Sequence, residues 1–370
     1  MNSRERVLRA LERKPVDMIP HWVDFTSIES QARFFGQKFF EAGAVNQALF
    51  QAEFFKSDII NLPLAGYPGC YDIFCERLYE GEDYIISRNP FGGLHYWHKK
   101  PYFAKILHSP VQTMRDLESI PQLDLHQFET KMHTYVQHAK ALHDHGYFIL
   151  AEIKGAFEAP WMFLRGLVPY MRDLVKDREF ITRMIEVSFR PMMDLAEAVI
   201  DQAPIDGIWM TDDLGERRSP FLSVEKYRRI YKPWHKEAVQ RFHRKGIKVS
   251  LHSDGNTMPL FGDFVDVGFD SVDPLEPADN MMLPELKTRY GEKVALMGGI
   301  TRDIGRMAPD EVERHIQQIV RDAGPYGLIF NCGGGIPPEM SLEGFMHYSA
   351  SIRKFRSLQV CTSRSAQHAL

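Results

Sequence analysis

The 370-residue chain has little of what marks several large protein classes. Its four cysteines, Cys70, Cys75, Cys332 and Cys361, are too few and too scattered for a disulfide scaffold, so reduced thiols are expected. No apolar run reaches the about 20 residues that a membrane span requires. The segment from Met1 to Leu11 is charged and amphipathic, which does not read as a secretory signal. A soluble cytoplasmic protein is the resulting expectation. Positive charge is not in excess: the net charge is −4, and no basic stripe points to nucleic acid. A glycine-rich dinucleotide turn after an early strand, a Walker loop and a Gly-x-Ser-x-Gly elbow are all missing.

What remains is an ordinary globular composition, 44% hydrophobic and 25% charged. Within it lie eight short apolar runs: Met18–Asp24, Ser57–Leu62, Tyr147–Ile153, Gly207–Asp212, Ile247–His252, Ser271–Pro274, Val294–Gly299 and Gly327–Cys332. Continuous apolar runs of this length read as buried parallel strands. Helical patterns separate them at Leu167–Asp177, Glu179–Ala203, Glu225–Lys245 and Pro309–Asp322. Ser223 is an expected N-cap and Gly246 a stop. Strand–helix alternation over eight units predicts an α/β protein, a single (β/α)8 TIM-type barrel over residues 1–360, with 361–370 as a disordered tail. The stretch from Pro63 to about Lys105 reads as a long loop, and long loops in compact domains tend to be lids or interfaces.

Barrel strands deliver their C-terminal ends to one face, so the residues there are the candidate site. Strand one offers His21 and Asp24, strand three Glu152, and strand four Asp212 and Asp213. Strand five offers His252 and Asp254, strand six Asp273, and strand eight Cys332. Imidazole, carboxylate and thiolate suit zinc, and three protein ligands leave the open position of a catalytic site. Residues i and i+2 of a strand share a face, which lets His252 and Asp254 reach one ion. Plainer readings stand beside these. Cys332 alone fits a small buried hydrophobe, Asp212 and Asp213 fit a cap, and Asp273 before Pro274 fits a turn. Tyr67 and Trp97, with His95 and Tyr96, are candidates for aromatic contact over the mouth, or for loop packing.

Several stretches resemble the uroporphyrinogen decarboxylase superfamily: Asn2–Pro20, Leu251–Asn256, Gly268–Glu276 and Leu296–Ile300. The likeness runs from about Ser3 to Phe355 and implies a distorted (β/α)8 barrel. It also implies a choice of chemistry. True uroporphyrinogen decarboxylases are metal-free and hold substrate carboxylates with arginines in a Met-Arg-Gln-Ala-Gly-Arg-Tyr segment. Here that place reads His-Trp-Val-Asp-Phe-Thr-Ser-Ile-Glu-Ser, without arginine. The corrinoid-linked methyltransferases of the superfamily bind zinc through His-x-Cys and a distant Cys, or through carboxylates, His and Cys in the related O-demethylases. By that resemblance His252, Asp254 and Cys332 are the zinc ligands, with Glu152 a further ligand or its partner. Asp212, Asp213 and Glu152 would be catalytic, and His21, Asp24, Tyr67, Trp97 and Asp273 would bind substrate. The implied activity is a zinc-dependent methyltransferase or O-demethylase acting on a methylated small molecule, with cobalamin or another corrinoid on a carrier protein. The resemblance leaves room for a homodimer. A metal-free carboxy-lyase and a non-catalytic tetrapyrrole- or corrinoid-binding barrel are the alternatives.

Overall fold

The computed structural model describes residues 1–24, 26–65 and 72–357, without the side chains of Ile28 and Glu29. Tyr67, Cys70, Cys361 and the expected tail lie outside the described residues. Twelve strands form two sheets among the described residues. They are β1 (His21–Trp22), β2 (Ile59–Pro63), β3 (Glu76–Glu80), β4 (Tyr84–Arg88), β5 (Leu94–Lys99), β6 (Tyr102–His108), β7 (Phe148–Lys154), β8 (Gly207–Thr211), β9 (Lys248–His252), β10 (Ser271–Asp273), β11 (Ala295–Met297) and β12 (Leu328–Asn331).

Eight of them make one all-parallel sheet in the order β1-β12-β11-β10-β9-β8-β7-β2. The Asp58 N–H donates to the His21 carbonyl at 2.7 Å, which links the two end strands. The result is the (β/α)8 barrel, and each strand overlaps one of the eight apolar runs. The helices Leu167–Lys176, Arg178–Ile200 and Pro309–Ala323 match their patterns closely. The pattern at Glu225–Lys245 is a composite of Val224–Lys226, a π-turn at Tyr227–Tyr231, and Lys232–His243, with Ser223 accepting the Lys226 N–H as its cap.

Strand alternation sorts the side chains. Trp22, Ile59, Phe148, Leu150, Trp209, Ala295, Met297 and Ile329 pack together inside the barrel. Their neighbours Ile60, Ile149, Ala151, Ile208, Leu251, Leu296 and Phe330 face the outer helices. The interior cluster also takes Val7, Ala10 and Leu11 from helix Ser3–Leu11. Those positions are one helical stripe, so the helix closes the end of the barrel opposite the strand C-termini.

Asp58 ties the closure together. Its carboxylate accepts from Ser3 Oγ at 2.8 Å, Arg6 Nη1 at 2.6 Å, the His21 N–H at 3.0 Å, and the Arg356 guanidinium. This joins the first helix, β1, β2 and the last helix, Leu342–Arg356. His21 belongs to this layer: its ring nitrogens meet the Phe55 carbonyl at 3.1 Å and the Tyr348 hydroxyl at 2.7 Å. Burial, with the nearby Arg356 charge, lowers its pKa to about 4, so the ring is neutral. Both nitrogens are used in holding the fold.

The stretch expected to be a long loop contains a second sheet instead. Strands β3–β6 form an antiparallel meander, β3-β4-β5-β6. The signal was the alternation in β4 and β5: Ile85, Ser87, His95 and Trp97 are buried, while Tyr84, Tyr96 and His98 stack on the open face. Trp97 sits within the covered face, its indole N–H donating to Ser87 Oγ at 2.9 Å.

Asp58→Ala would leave two buried guanidinium groups, those of Arg6 and Arg356, without their common anion. Breaking a buried ion pair from one side typically costs about 3–5 kcal/mol. A urea unfolding curve should show a loss of that order. A change below about 1 kcal/mol would contradict the role given to Asp58.

Candidate active site

Above the apolar plug, the inward positions of the strands turn polar. The next inward residues are Asn61 on β2, Glu152 and Lys154 on β7, Thr211 on β8, His252 on β9, Asp273 on β10 and Asn331 on β12. All lie at strand C-termini, so the site belongs to this mouth.

His252 is the centre of one half. Its Nδ1 meets Asp273 Oδ2 at 2.9 Å, and the other oxygen of Asp273 accepts the Trp209 indole N–H at 2.9 Å. Trp209 also packs edge-on against the His252 ring, 5.0 Å between centroids. Asp273 is thus fully buried with both oxygens engaged, and it orients the imidazole. His252 Nε2 then points to Asp213, 3.6 Å from Oδ1, too long for a hydrogen bond. Ligand atoms of Asp213, His252 and Asp254 lie within 4.8 Å of one another. Burial works against charge on His252, yet Asp273, Asp254 and Asp213 outweigh it and raise its pKa well above the ordinary value. Burial, reinforced by Asp213 and offset in part by His252, raises the pKa of Asp254.

Two loops bring the carboxylates together. The Asp254 N–H donates to Asp213 Oδ1 at 2.9 Å, and the Asn256 N–H to the Glu216 carbonyl at 2.8 Å. Gly255, at φ +84°, lies against Gly215, where a Cβ would overlap the neighbouring backbone. Glycine is required here because the two loops touch.

Asp212 points elsewhere. It is fully buried, accepts from the Phe157 and Glu158 N–H groups at 2.9 and 2.7 Å, and meets His235 Nε2 at 2.7 Å. It holds the turn after β7, the capping reading of the Asp-Asp pair. Cys332 is not among the three clustered ligands. It is fully buried in the outer layer with Tyr348, its Sγ 3.8 Å from the Thr301 carbonyl. Burial, with Asp24 and Glu276 nearby, pushes its pKa well up and keeps the thiol protonated. Strand parity is the reason: Asn331 takes the inward place at the end of β12, and Cys332 follows it on the other side. Asp24 lies at the mouth after β1.

The other half of the mouth centres on Lys154. Its buried ammonium donates to Thr211 Oγ1 at 2.8 Å and lies 3.3 Å from Glu152 Oε1. Glu152 Oε2 accepts from Asn61 Nδ2 at 2.8 Å. The sequence reading missed Glu158, whose Oε2 is 3.7 Å from Lys154 Nζ and buried with no hydrogen bond. Burial raises its pKa to about 8; Lys154 and His252 oppose this, while Asp213 and Asp212 add to it. In Gly-Ala-Phe-Glu-Ala-Pro the residue looks like an ordinary helix start, and only the tertiary placement of Lys154 and Asp213 marks it.

Taken together, these features define a TIM-type barrel with a metal-competent carboxylate–histidine cluster at its mouth. Residues 96–355, more than half of the chain, match the family model "Uroporphyrinogen decarboxylase (URO-D)", and the chain belongs to that family. It is similar to the uroporphyrinogen decarboxylases of Pseudoalteromonas atlantica and Pseudoalteromonas translucida, at 23% identity to each. The first alignment covers 96% of this chain and all of the relative, the second 95% and 97%. Among solved structures it is similar to a methyltransferase from Methanosarcina mazei, with a TM-score of 0.72 at 16% identity over 96% of this chain and 99% of that one. That likeness shows the shared fold. No helix among the described residues is long and apolar enough to cross a membrane.

Glu158 gives a pH dependence of definite sign. Between the ordinary carboxyl value of 4.5 and about 8, the folded protein holds a proton that the unfolded chain releases. Its contribution therefore lowers stability as pH rises through that window. Glu158→Gln should remove this contribution, so chelator-treated variant protein should gain stability relative to wild type between pH 5 and pH 8 in urea melts. A constant difference across the window would refute the assignment.

Proposed function

We propose that the chain is a zinc-dependent methyltransferase acting on a methylated small molecule, with a methyl ether the favoured substrate bond and a corrinoid on a carrier protein as the other methyl partner. The observation that carries this reading is the Asp273–His252 pair aimed at Asp213 and Asp254. A histidine whose second nitrogen is held by a carboxylate is the usual support for a metal-binding imidazole. Asp254 Oδ1 is buried without a hydrogen-bond partner, and His252 Nε2 faces Asp213 without bonding to it, so the donors present fit a cation. Asp213, His252 and Asp254 would hold it. When bound, zinc in this nitrogen–oxygen shell supplies Lewis acidity toward a substrate oxygen, with an open position for it.

The chain's own groups have separable tasks. Asp273 and Trp209 fix the His252 ring. The Gly215–Gly255 approach sets the spacing of Asp213 and Asp254. Loss of a methyl group leaves the substrate oxygen with an electron pair that takes a proton. Glu158 Oε2, a buried carboxyl oxygen beside Lys154, is the group suited to hold that proton. The Methanosarcina methyltransferase likeness supports this branch of the family, and the arginine-free sequence His21–Ser30, where the decarboxylases carry their substrate-binding arginines, speaks against a polycarboxylate substrate.

Elemental analysis of purified protein tests the reading. About one zinc per chain is expected in wild type, lost on His252→Ala and sharply reduced by Asp254→Asn. Cys332→Ser should retain it, since the thiol faces the outer layer. Zinc-loaded protein with a panel of methyl ethers and reduced cobalamin should then yield methylcobalamin, read by absorbance. Absence of zinc after metal-replete purification would overturn the proposal in favour of a metal-free decarboxylase.

A further inference from the structure

Behind the mouth lies a chain of three fully buried polar side chains, Tyr227, His235 and Asp212. Its outer end is made by an irregularity in the helix. In a regular α-helix, residues i and i+7 lie on one face. Between Tyr227 and His235 the Lys232 N–H donates to the Tyr227 carbonyl, an i to i+5 bond that winds one extra residue into the helix. Residues eight apart therefore share a face, and the Tyr227 hydroxyl reaches His235 Nδ1 at 2.9 Å. Such π-turns recur at functional sites. Phe264 packs edge-on against Tyr227 and Phe269 edge-on against His235, 5.6 and 5.7 Å between centroids, which holds both rings in place.

The inner end branches at Asp212. Its Oδ1 accepts the Phe157 and Glu158 N–H groups at 2.9 and 2.7 Å, which marks the carboxylate as an acceptor. The proton in its 2.7 Å contact with His235 therefore sits on Nε2, and Nδ1 takes the Tyr227 hydroxyl proton. A Cβ on Gly155 would overlap the Asp212 carboxyl group, so the turn closes on that group only because residue 155 is glycine. The same turn carries Glu158, whose Oε2 lies 3.7 Å from Lys154 Nζ. The main chain of Asp212 serves the other half of the mouth. Its N–H donates to the His252 carbonyl at 2.9 Å, one step past the Thr211–His252 register pair, and its neighbour Asp213 accepts the Asp254 N–H. One residue thus holds the Glu158 turn with its side chain and the end of β9 with its main chain, and His235 fixes it from the side away from the mouth.

We propose that His235 is a positioning residue for the site: through Asp212 it keeps the Glu158 turn and the ends of β8 and β9 in one fixed arrangement. The inference deepens the reading above, and it rests on that reading for what Glu158 and the metal ligands do in turnover. Without the imidazole, a fully buried carboxylate loses a donor and its outer anchor. The Phe157 and Glu158 N–H groups then lose a fixed acceptor, and Glu158 its set distance from Lys154.

Hydrogen exchange of metal-free, full-length protein, read by mass spectrometry, tests the arrangement without a substrate. His235→Ala should speed exchange in residues 155–161 and 211–215 by about tenfold or more, beyond any change in the rest of the barrel. His235→Gln, whose amide still donates to Asp212, should restore the wild-type rates there. Tyr227→Phe removes only a hydroxyl; it should give a smaller rise in the same segments, and it decides the matter where His235→Ala does not fold. A role in the fold alone would raise exchange evenly and would not separate glutamine from alanine. An even rise, a glutamine variant that behaves as alanine, or, where alanine does not fold, Tyr227→Phe with both segments unchanged would overturn the proposal. Zinc affinity is read separately by competition with a coloured chelator. A loss of about tenfold is expected in His235→Ala, recovered in His235→Gln. Wild-type protein that binds no zinc would sink the methyltransferase reading and leave the exchange result standing. Zinc binding with exchange unchanged in all three variants would sink this inference alone.

Discussion

Strand alternation at the barrel mouth is the constraint on which the rest depends. Each strand sends every second side chain inward, and the barrel interior admits only a few layers. The lower layers are filled with Trp22, Ile59, Phe148, Leu150, Trp209 and Ile329, sealed from beneath by the first helix. The upper layer is polar, and buried Glu152, Lys154, Thr211, Asp273 and Asn331, with Asn61 and His252, need partners in one another or in a ligand. Where they find them, they are rigid parts, as with Asp273 between Trp209 and His252. Elsewhere at the mouth, buried oxygens of Asp254 and Glu158 and the amide of Asn331 are left without hydrogen-bond partners.

The polar ring divides into two electrostatic halves. On one side, three carboxylates surround His252 and hold it in its charged form, an arrangement that a cation replaces naturally. On the other, one buried ammonium serves two buried carboxyls, and the carboxyl with the weaker partner keeps its proton to about pH 8. A proton store and a metal-competent cluster thus lie close together without sharing a residue. The family shares this fold, and the two Pseudoalteromonas decarboxylases are 23% identical to this chain.

Much of the framework was legible in the residues. All eight barrel strands came from short apolar runs, because a strand covered on both faces needs no polar alternation. His252, Asp213, Asp254 and Asp273 were legible as strand ends. The antiparallel sheet β3–β6 was not: its strands are rich in Tyr, His, Arg and Lys, with one open face, and such a pattern reads as loop without the partner strands in view. Glu158 was hidden for a similar reason, since nothing local distinguishes it from a helix-start glutamate.

The sequence by itself determined the barrel, its strand count, and the set of reactive groups gathered at one end, because hydrophobic periodicity and strand length are local properties. Tertiary structure alone decided how those groups divide. It turned Asp212 toward the Phe157 turn and His235, His21 toward Tyr348, and Cys332 toward the outer layer, while Asp213 joined His252 and Asp254. A one-residue step along a strand reverses the face to which a side chain belongs. Neighbouring residues such as Asp212 and Asp213, or Asn331 and Cys332, are alike in sequence position and opposite in consequence, and only the closed barrel separates them.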